Sequence, residues 1–211
     1  MTARSTGEVL GGLWRFEAMH PEWTEDEGGE EGWEPLVAWW AVACSHGLVL
    51  IDPLVVDWSG LDGLVAEHGR CAGVIRTCHW HQRSVGEVAA RYGAEVWGKP
   101  DADGKVAYDR AVADRDELWD GIRAFEVQRA DEIALWLPAQ AALAFGDAML
   151  RSASGELRVC PESWTQPPGG RTELQRLLLG LSELPVRHVL VSHGPLVLGD
   201  GLAALNAACR G

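Results

Sequence analysis

No apolar run in this chain approaches the roughly 20 residues that a membrane-spanning helix needs, so a helical membrane protein is not expected. Basic residues are scarce, 18 Lys and Arg against 31 Asp and Glu, which leaves a formal net charge of −13. Sequence-independent nucleic-acid binding relies on cations clustered at the phosphates, and docking on an anionic membrane surface needs polybasic segments. Neither partner is expected here. The five cysteines, Cys44, Cys71, Cys78, Cys160 and Cys209, are odd in number, scattered and free of any CxxC pair. That pattern predicts reduced thiols in a cytoplasmic protein rather than a disulfide framework. The opening MTARSTGEVLGGLWRFE has no apolar stretch of signal-peptide length, so no secretory leader is expected. No GxGxxG follows a strand-like run and no GxxxxGK[ST] occurs, which removes support for dinucleotide and P-loop chemistry.

What is present fits one domain spanning 1–211, long enough to bury a core without metal or disulfide staples. Phe and Tyr are few, but Trp is abundant at 11 residues, large aromatics that can fill a core or line a cleft. One segment is compositionally biased, the acidic and glycine-containing EWTEDEGGEEGWE of Glu22 to Glu34. It reads first as a solvated surface loop. Its sharper reading is a flap beside a site, with Trp23 and Trp33 as apolar contacts suited to a cationic or apolar ligand.

Elsewhere short apolar runs alternate with helical patterns. Strands are predicted at Leu13–Phe16, Gly73–Thr77, Glu95–Trp97, Ile122–Glu126, Glu132–Leu137, Ala142–Phe145 and His188–Val191. Pro35–Cys44 and Gly47–Ile51 flank a Ser45-His46 turn as a hairpin. Helices are predicted at Leu61–His68, Ser84–Tyr92, Arg171–Leu181 and Asp200–Cys209. Hairpins mixed with strand–helix units favour a layered αβ protein with mixed sheets.

Chemistry-bearing residues follow four of these strands. Asp52 follows GLVLI, His79 and His81 follow GVIRTC, Asp147 follows ALAFG and His193 follows HVLVS. Strand ends present polar side chains to a cleft from rigid supports. Two His spaced by one residue, with an Asp and a third His from other strands, can make an N/O metal site. Cys78 reads as a buried, inert thiol. Ser84 reads as a helix N-cap, with Glu87 three residues on completing a capping box. His20, His46, His68 and His188 read as structural or exposed.

The succession GLVLIDP, TCHWHQRS before a helix, LAFGDAML and HVLVSHGP resembles the metallo-β-lactamase-fold hydrolases over nearly the whole chain. The resemblance implies a four-layered αββα sandwich with its metals at one edge between the sheets. It places His79 and His81 on the first two histidines of the HxHxDH motif, Asp147 on the metal-bridging Asp and His193 on the terminal His. Asp52 falls on the structural Asp that supports the metal loop. Three positions depart from the motif. Arg83 stands at its Asp, Ser84 at its third His, and Gln128, in Val127-Gln128-Arg129-Ala130-Asp131, at the His of the GHTPG turn.

A two-metal site is therefore not expected. The guanidinium of Arg83 would fill the second metal's space, paired with Asp147, and His79, His81, Asp147 and His193, with Gln128 weakly in support, would hold one Zn or Fe ion, or none. The implied function is hydrolysis of an ester, thioester or similar bond in a small-molecule substrate of unknown identity. Water would be activated at the ion and Arg83 would stabilise developing negative charge. The alternative is a non-catalytic descendant acting as a binding or scaffold protein without metal. The sequence does not specify the oligomeric state.

Overall fold

The computed structural model describes residues 4–29, 32–99, 108–128, 132–151, 155–165 and 169–211. Its larger sheet has seven strands in sequential order: β1 (Arg4–Leu10), β2 (Leu13–Met19), β3 (Leu36–Cys44), β4 (Gly47–Ile51), β5 (Cys71–Arg76), β6 (Glu95–Gly98) and β7 (Arg110–Ala111). The first four form an antiparallel meander. Strands β4, β5 and β6 run parallel because α1 (Trp58–Glu67) and α2 (Val85–Tyr92) carry the chain back across the sheet, and β7 pairs parallel with β6.

The smaller sheet orders four strands as β13-β10-β9-β8, with β8 (Arg123–Gln128), β9 (Glu132–Leu137), β10 (Ala142–Phe145) and β13 (His188–Val191). Strands β11 (Met149–Arg151) and β12 (Leu157–Val159) make a separate ribbon, and α3 (Gly170–Gly180) and α4 (Gly201–Arg210) follow in the second half.

The period-2 alternation of strand side chains builds the layers. In β4, Val49 and Ile51 face the inter-sheet core while Leu48 and Leu50 face α1 and α2. In β9, Ile133, Leu135 and Leu137 meet that inter-sheet core, and Trp136 turns outward toward the α3 and α4 layer. Leu61 and Val65 of α1 and Val85 and Val88 of α2 cover the first sheet's outer face. Leu174 and Leu178 of α3 and Leu205 of α4 cover the second's. The result is an αββα sandwich, as expected from the sequence.

Local signals explain the helix ends. Asp57 caps α1 by accepting from Ser59 N and Gly60 N, and Gly93 ends α2 in the left-handed conformation that favours glycine. Among the described residues no helix is long and apolar enough to cross a membrane.

The two sheets are stitched together at one end by backbone hydrogen bonds. Ala38 N donates to Ser192 O at 2.8 Å and Ile133 N donates to Thr77 O at 2.9 Å. These bonds bring the segments that follow β4, β5, β10 and β13 together at one edge of the sandwich.

Candidate functional site

Four loops meet at that edge. Asp52 follows β4 with φ +50°, a left-handed conformation that is uncommon for a residue with a side chain. Its carboxylate accepts from Thr77 N at 2.8 Å and Thr77 Oγ1 at 2.5 Å, so it anchors the start of the loop after β5. Its Oδ2 also lies 2.8 Å from His81 Nδ1, an ion-pair contact on the ring's far side from the Nε2 that faces Asp147.

His81 Nε2 is 3.1 Å from Asp147 Oδ1, and His193 Nε2 reaches the same oxygen at 3.0 Å. Cys78 Sγ donates to Asp147 Oδ2 at 3.5 Å. All four side chains are buried. Cys78, His81 and Asp147 each present a donor atom within 4.8 Å of the others, a group able to hold a metal ion.

His79 does not join this group. It is half-buried and its ring packs 4.0 Å from that of exposed Trp80. The reason is the shape of the loop. Side chains at i and i+2 share a side only where the chain is extended. Here His81 N donates to Cys78 O at 3.2 Å, closing a turn that sets positions 78 and 81 side by side. Cys78, buried as expected from the sequence, is the residue of this loop that joins His81 and Asp147 in the group.

Arg83, at φ +37°, also behaves differently from the expected Asp147 partner. Its Nη1 donates to the carbonyls of Asp52 at 3.0 Å and Ala38 at 3.2 Å, and its Nη2 lies 3.1 Å from His81 Nε2. Asp147 is paired with His81 and His193 instead. The guanidinium is thus a fixed cation beside the imidazole rather than a direct ligand of the carboxylate. Ser84 does open α2, but its hydroxyl accepts from Val55 N at 3.0 Å and makes no capping bond to the helix. The side chain of Gln128 and residues 129–131 lie outside the described residues.

Glu132 carries no functional signal in the sequence. It is fully buried at the start of β9, and its Oε1 accepts from Asp147 N at 3.0 Å and Ala148 N at 2.9 Å. It therefore fixes the backbone that carries Asp147. Gly146 makes room for this packing, since a Cβ there would sit 2.5 Å from Thr77 Oγ1 and 3.4 Å from both Cys78 Sγ and Glu132 Oε1.

Aromatic residues wall the site. The ring of Trp33 lies 5.0 Å from that of His193, Trp164 lies 6.4 Å from it, and His20 packs 5.1 Å from Trp33. Trp23 Nε1 donates to Trp33 O at 2.9 Å. The end of the acidic segment thus borders the site, while Glu22, Glu25, Asp26 and Glu27 face solvent.

The electrostatics are nearly self-balancing. Burial and the Arg83 charge push His81 down, but Asp147 and Asp52 outweigh them and hold it up at about 9. Burial raises Asp147, yet His81 and His193 draw it well below the ordinary carboxylate range. Asp52 is lowered in the same way, with His81 and Arg83 overcoming burial. Burial, then the Asp147 charge, raise Glu132 to about 8, so it holds a proton at neutral pH. Burial and Asp147 likewise keep the Cys78 thiol protonated, and burial keeps His193 neutral. Two cations, His81 and Arg83, thus face two anions, Asp52 and Asp147.

Among the described residues the structure brings together one group of donors that could hold an ion, Cys78, His81 and Asp147. The group fits one ion. Thiol, imidazole and carboxylate are the donors that bind zinc-like ions.

The fold is shared with many solved structures. DIM-1 metallo-β-lactamase aligns at TM-score 0.73 with 15% identity, covering 100% of this chain and 98% of that one. Metallo-β-lactamase FIM-1 from Pseudomonas aeruginosa, in its mono-zinc form, aligns at TM-score 0.71 with 12% identity, covering 100% and 96%. An archaeal metallo-β-lactamase superfamily protein from Sulfolobus tokodaii aligns at TM-score 0.66 with 17% identity, covering 94% and 85%. No family model matches the chain, and no curated protein matches it. The chain has the metallo-β-lactamase fold.

Proposed function

We propose that this protein is a hydrolase of an ester, thioester or similar bond that works with at most one metal ion. The observation that carries the reading is the grouping of Cys78, His81 and Asp147 at one buried point, with His193 Nε2 3.0 Å from Asp147 Oδ1, at the edge where metallo-β-lactamase-fold hydrolases hold their metals. When bound, a Zn or Fe ion would lower the pKa of a water and polarise the scissile carbonyl.

The chain's own residues have separable tasks. Asp52 sets the orientation of His81, and Glu132 sets the backbone of Asp147. Arg83, tied to two carbonyls, supplies a fixed positive charge toward which a tetrahedral oxyanion would develop. Its rigidity helps, because a preorganised charge needs no rearrangement during reaction. No carboxylate stands where the family motif has its Asp, so turnover is expected to be slow. Trp33 and Trp164 would exclude water and favour substrates with an apolar or aromatic portion.

The test is metal content by elemental analysis of untagged protein purified without chelator, wild type beside His81→Ala, followed by an ester and thioester panel. Near-stoichiometric metal that is lost in the variant, with hydrolysis abolished by Asp147→Asn, is the expected result. One observation favours a second reading, a metal-free binding protein: Arg83 Nη2 touches the same Nε2 that an ion would need. Absence of metal after loading with Zn, Fe and Mn would decide for that reading.

A further inference from the structure

We propose that Cys78 is a thiolate ligand of the metal site, paired with His81 and Asp147, and that His79 is not a ligand. The inference rests on the one-metal reading above and identifies the donors that hold the ion. Three observations carry it. The turn closed by His81 N on Cys78 O sets residues 78 and 81 side by side. Cys78 Sγ already points at Asp147 Oδ2, 3.5 Å away, on the far carboxylate oxygen from the one that His81 and His193 approach. Among the described residues this is the single group of three or more Cys, His or acidic donors close enough to hold an ion.

The absence of a side chain at Gly146 preserves the space beside the sulfur, since a Cβ there would close to 3.4 Å. His193 Nε2 is a fourth donor in reach of the same carboxylate. A sulfur donor changes which ion is preferred. Thiolate with imidazole selects Zn(II) or Co(II) over Mg(II), Ca(II) or Mn(II), which favour oxygen donors. Entry of the ion forms a metal–sulfur bond and breaks the S–H bond, the proton leaving to solvent. No redox change is involved.

Cobalt(II) titration of metal-free full-length protein tests this without any substrate. Wild type should develop a near-ultraviolet thiolate-to-cobalt charge-transfer band together with tetrahedral visible bands. Cys78→Ser should lose the charge-transfer band and bind more than about a hundredfold more weakly, beyond the 10–100-fold cost of losing an outer partner. His79→Ala should keep both band and affinity. Zinc-edge X-ray absorption on the wild type gives a readout free of folding artefacts, one sulfur at about 2.3 Å beside N/O donors at about 2.0–2.1 Å.

Cobalt binding with no thiolate band, or loss of binding in His79→Ala but not in Cys78→Ser, would overturn the assignment while leaving the one-metal reading intact. Failure of the wild type to bind cobalt or zinc at all would overturn both.

Discussion

His81 should make the stability of the metal-free protein fall as pH rises through neutrality. Its imidazole lies 2.8 Å from Asp52 Oδ2 and 3.1 Å from Asp147 Oδ1, and these carboxylates hold its pKa at about 9 against an ordinary value of 6.5. A pKa raised in the folded state means that the folded protein binds the proton more tightly. The stabilisation is therefore complete below about pH 6.5 and disappears as pH passes through about 9. A difference of this size is worth about 3 kcal/mol at pH 6 and less than about 1 kcal/mol at pH 8.5. Chelator-treated wild type and His81→Gln would be unfolded in urea across that range, with circular dichroism as the signal. Glu132 and the cysteines also weaken stability as pH rises, but both proteins contain them, so the comparison is the difference between the two slopes. Wild type should lose about 2 kcal/mol more than His81→Gln between about pH 6 and 8.5, equivalent to roughly 4–8 °C in Tm for a domain of this size. Parallel pH profiles in the two proteins would refute the argument that the two aspartates outweigh burial and Arg83 at this imidazole.

Asp52→Asn should cost about 3–5 kcal/mol at pH 6, the scale for breaking a buried ion pair, because His81 and the Thr77 bonds lose their charged acceptor; urea midpoints measure this. Gly146→Ala should destabilise by about 1–3 kcal/mol through overpacking against Thr77, Cys78 and Glu132, and a thermal melt no lower than wild type would contradict the packing described. Arg83→Met should strengthen zinc binding at least about tenfold, since a fixed charge near a dication costs several kcal/mol even at an effective dielectric of about 20. Its metal-free form should lose about 1–3 kcal/mol because the carbonyls of Ala38 and Asp52 lose their donor. Competition with a chromogenic chelator reads the first effect, and unchanged or weaker binding would place Arg83 outside the field of the ion.

Much of the architecture was legible because burial is periodic. Apolar runs such as GLVLI and EIALWL are strands buried on both faces, and each lands on its expected boundaries. Strands β1, β7, β11 and β12 went unread. Gly7 interrupts the pattern of β1, β7 is two residues long, and the short β11 and β12 depend on each other for pairing. Asp52, His81, Asp147 and His193 could be found because each follows a strand whose end is fixed by the sheet. His79 and Cys78 could not be placed from sequence for the complementary reason, since their directions depend on the conformation of a loop. An HxH spacing brings two imidazoles together only if the intervening chain is extended. A turn closed between positions 78 and 81 brings i and i+3 together instead. No periodicity in TCHWHQRS distinguishes these conformations. Glu132 was invisible for a related reason. Its partners, the backbone N–H groups of Asp147 and Ala148, lie in a loop on another strand, and a buried carboxyl that accepts from main chain leaves no pattern in its own neighbours. The site's framework was therefore readable from strand ends, but which side chains meet inside it depends on one turn and one distant pair of amides.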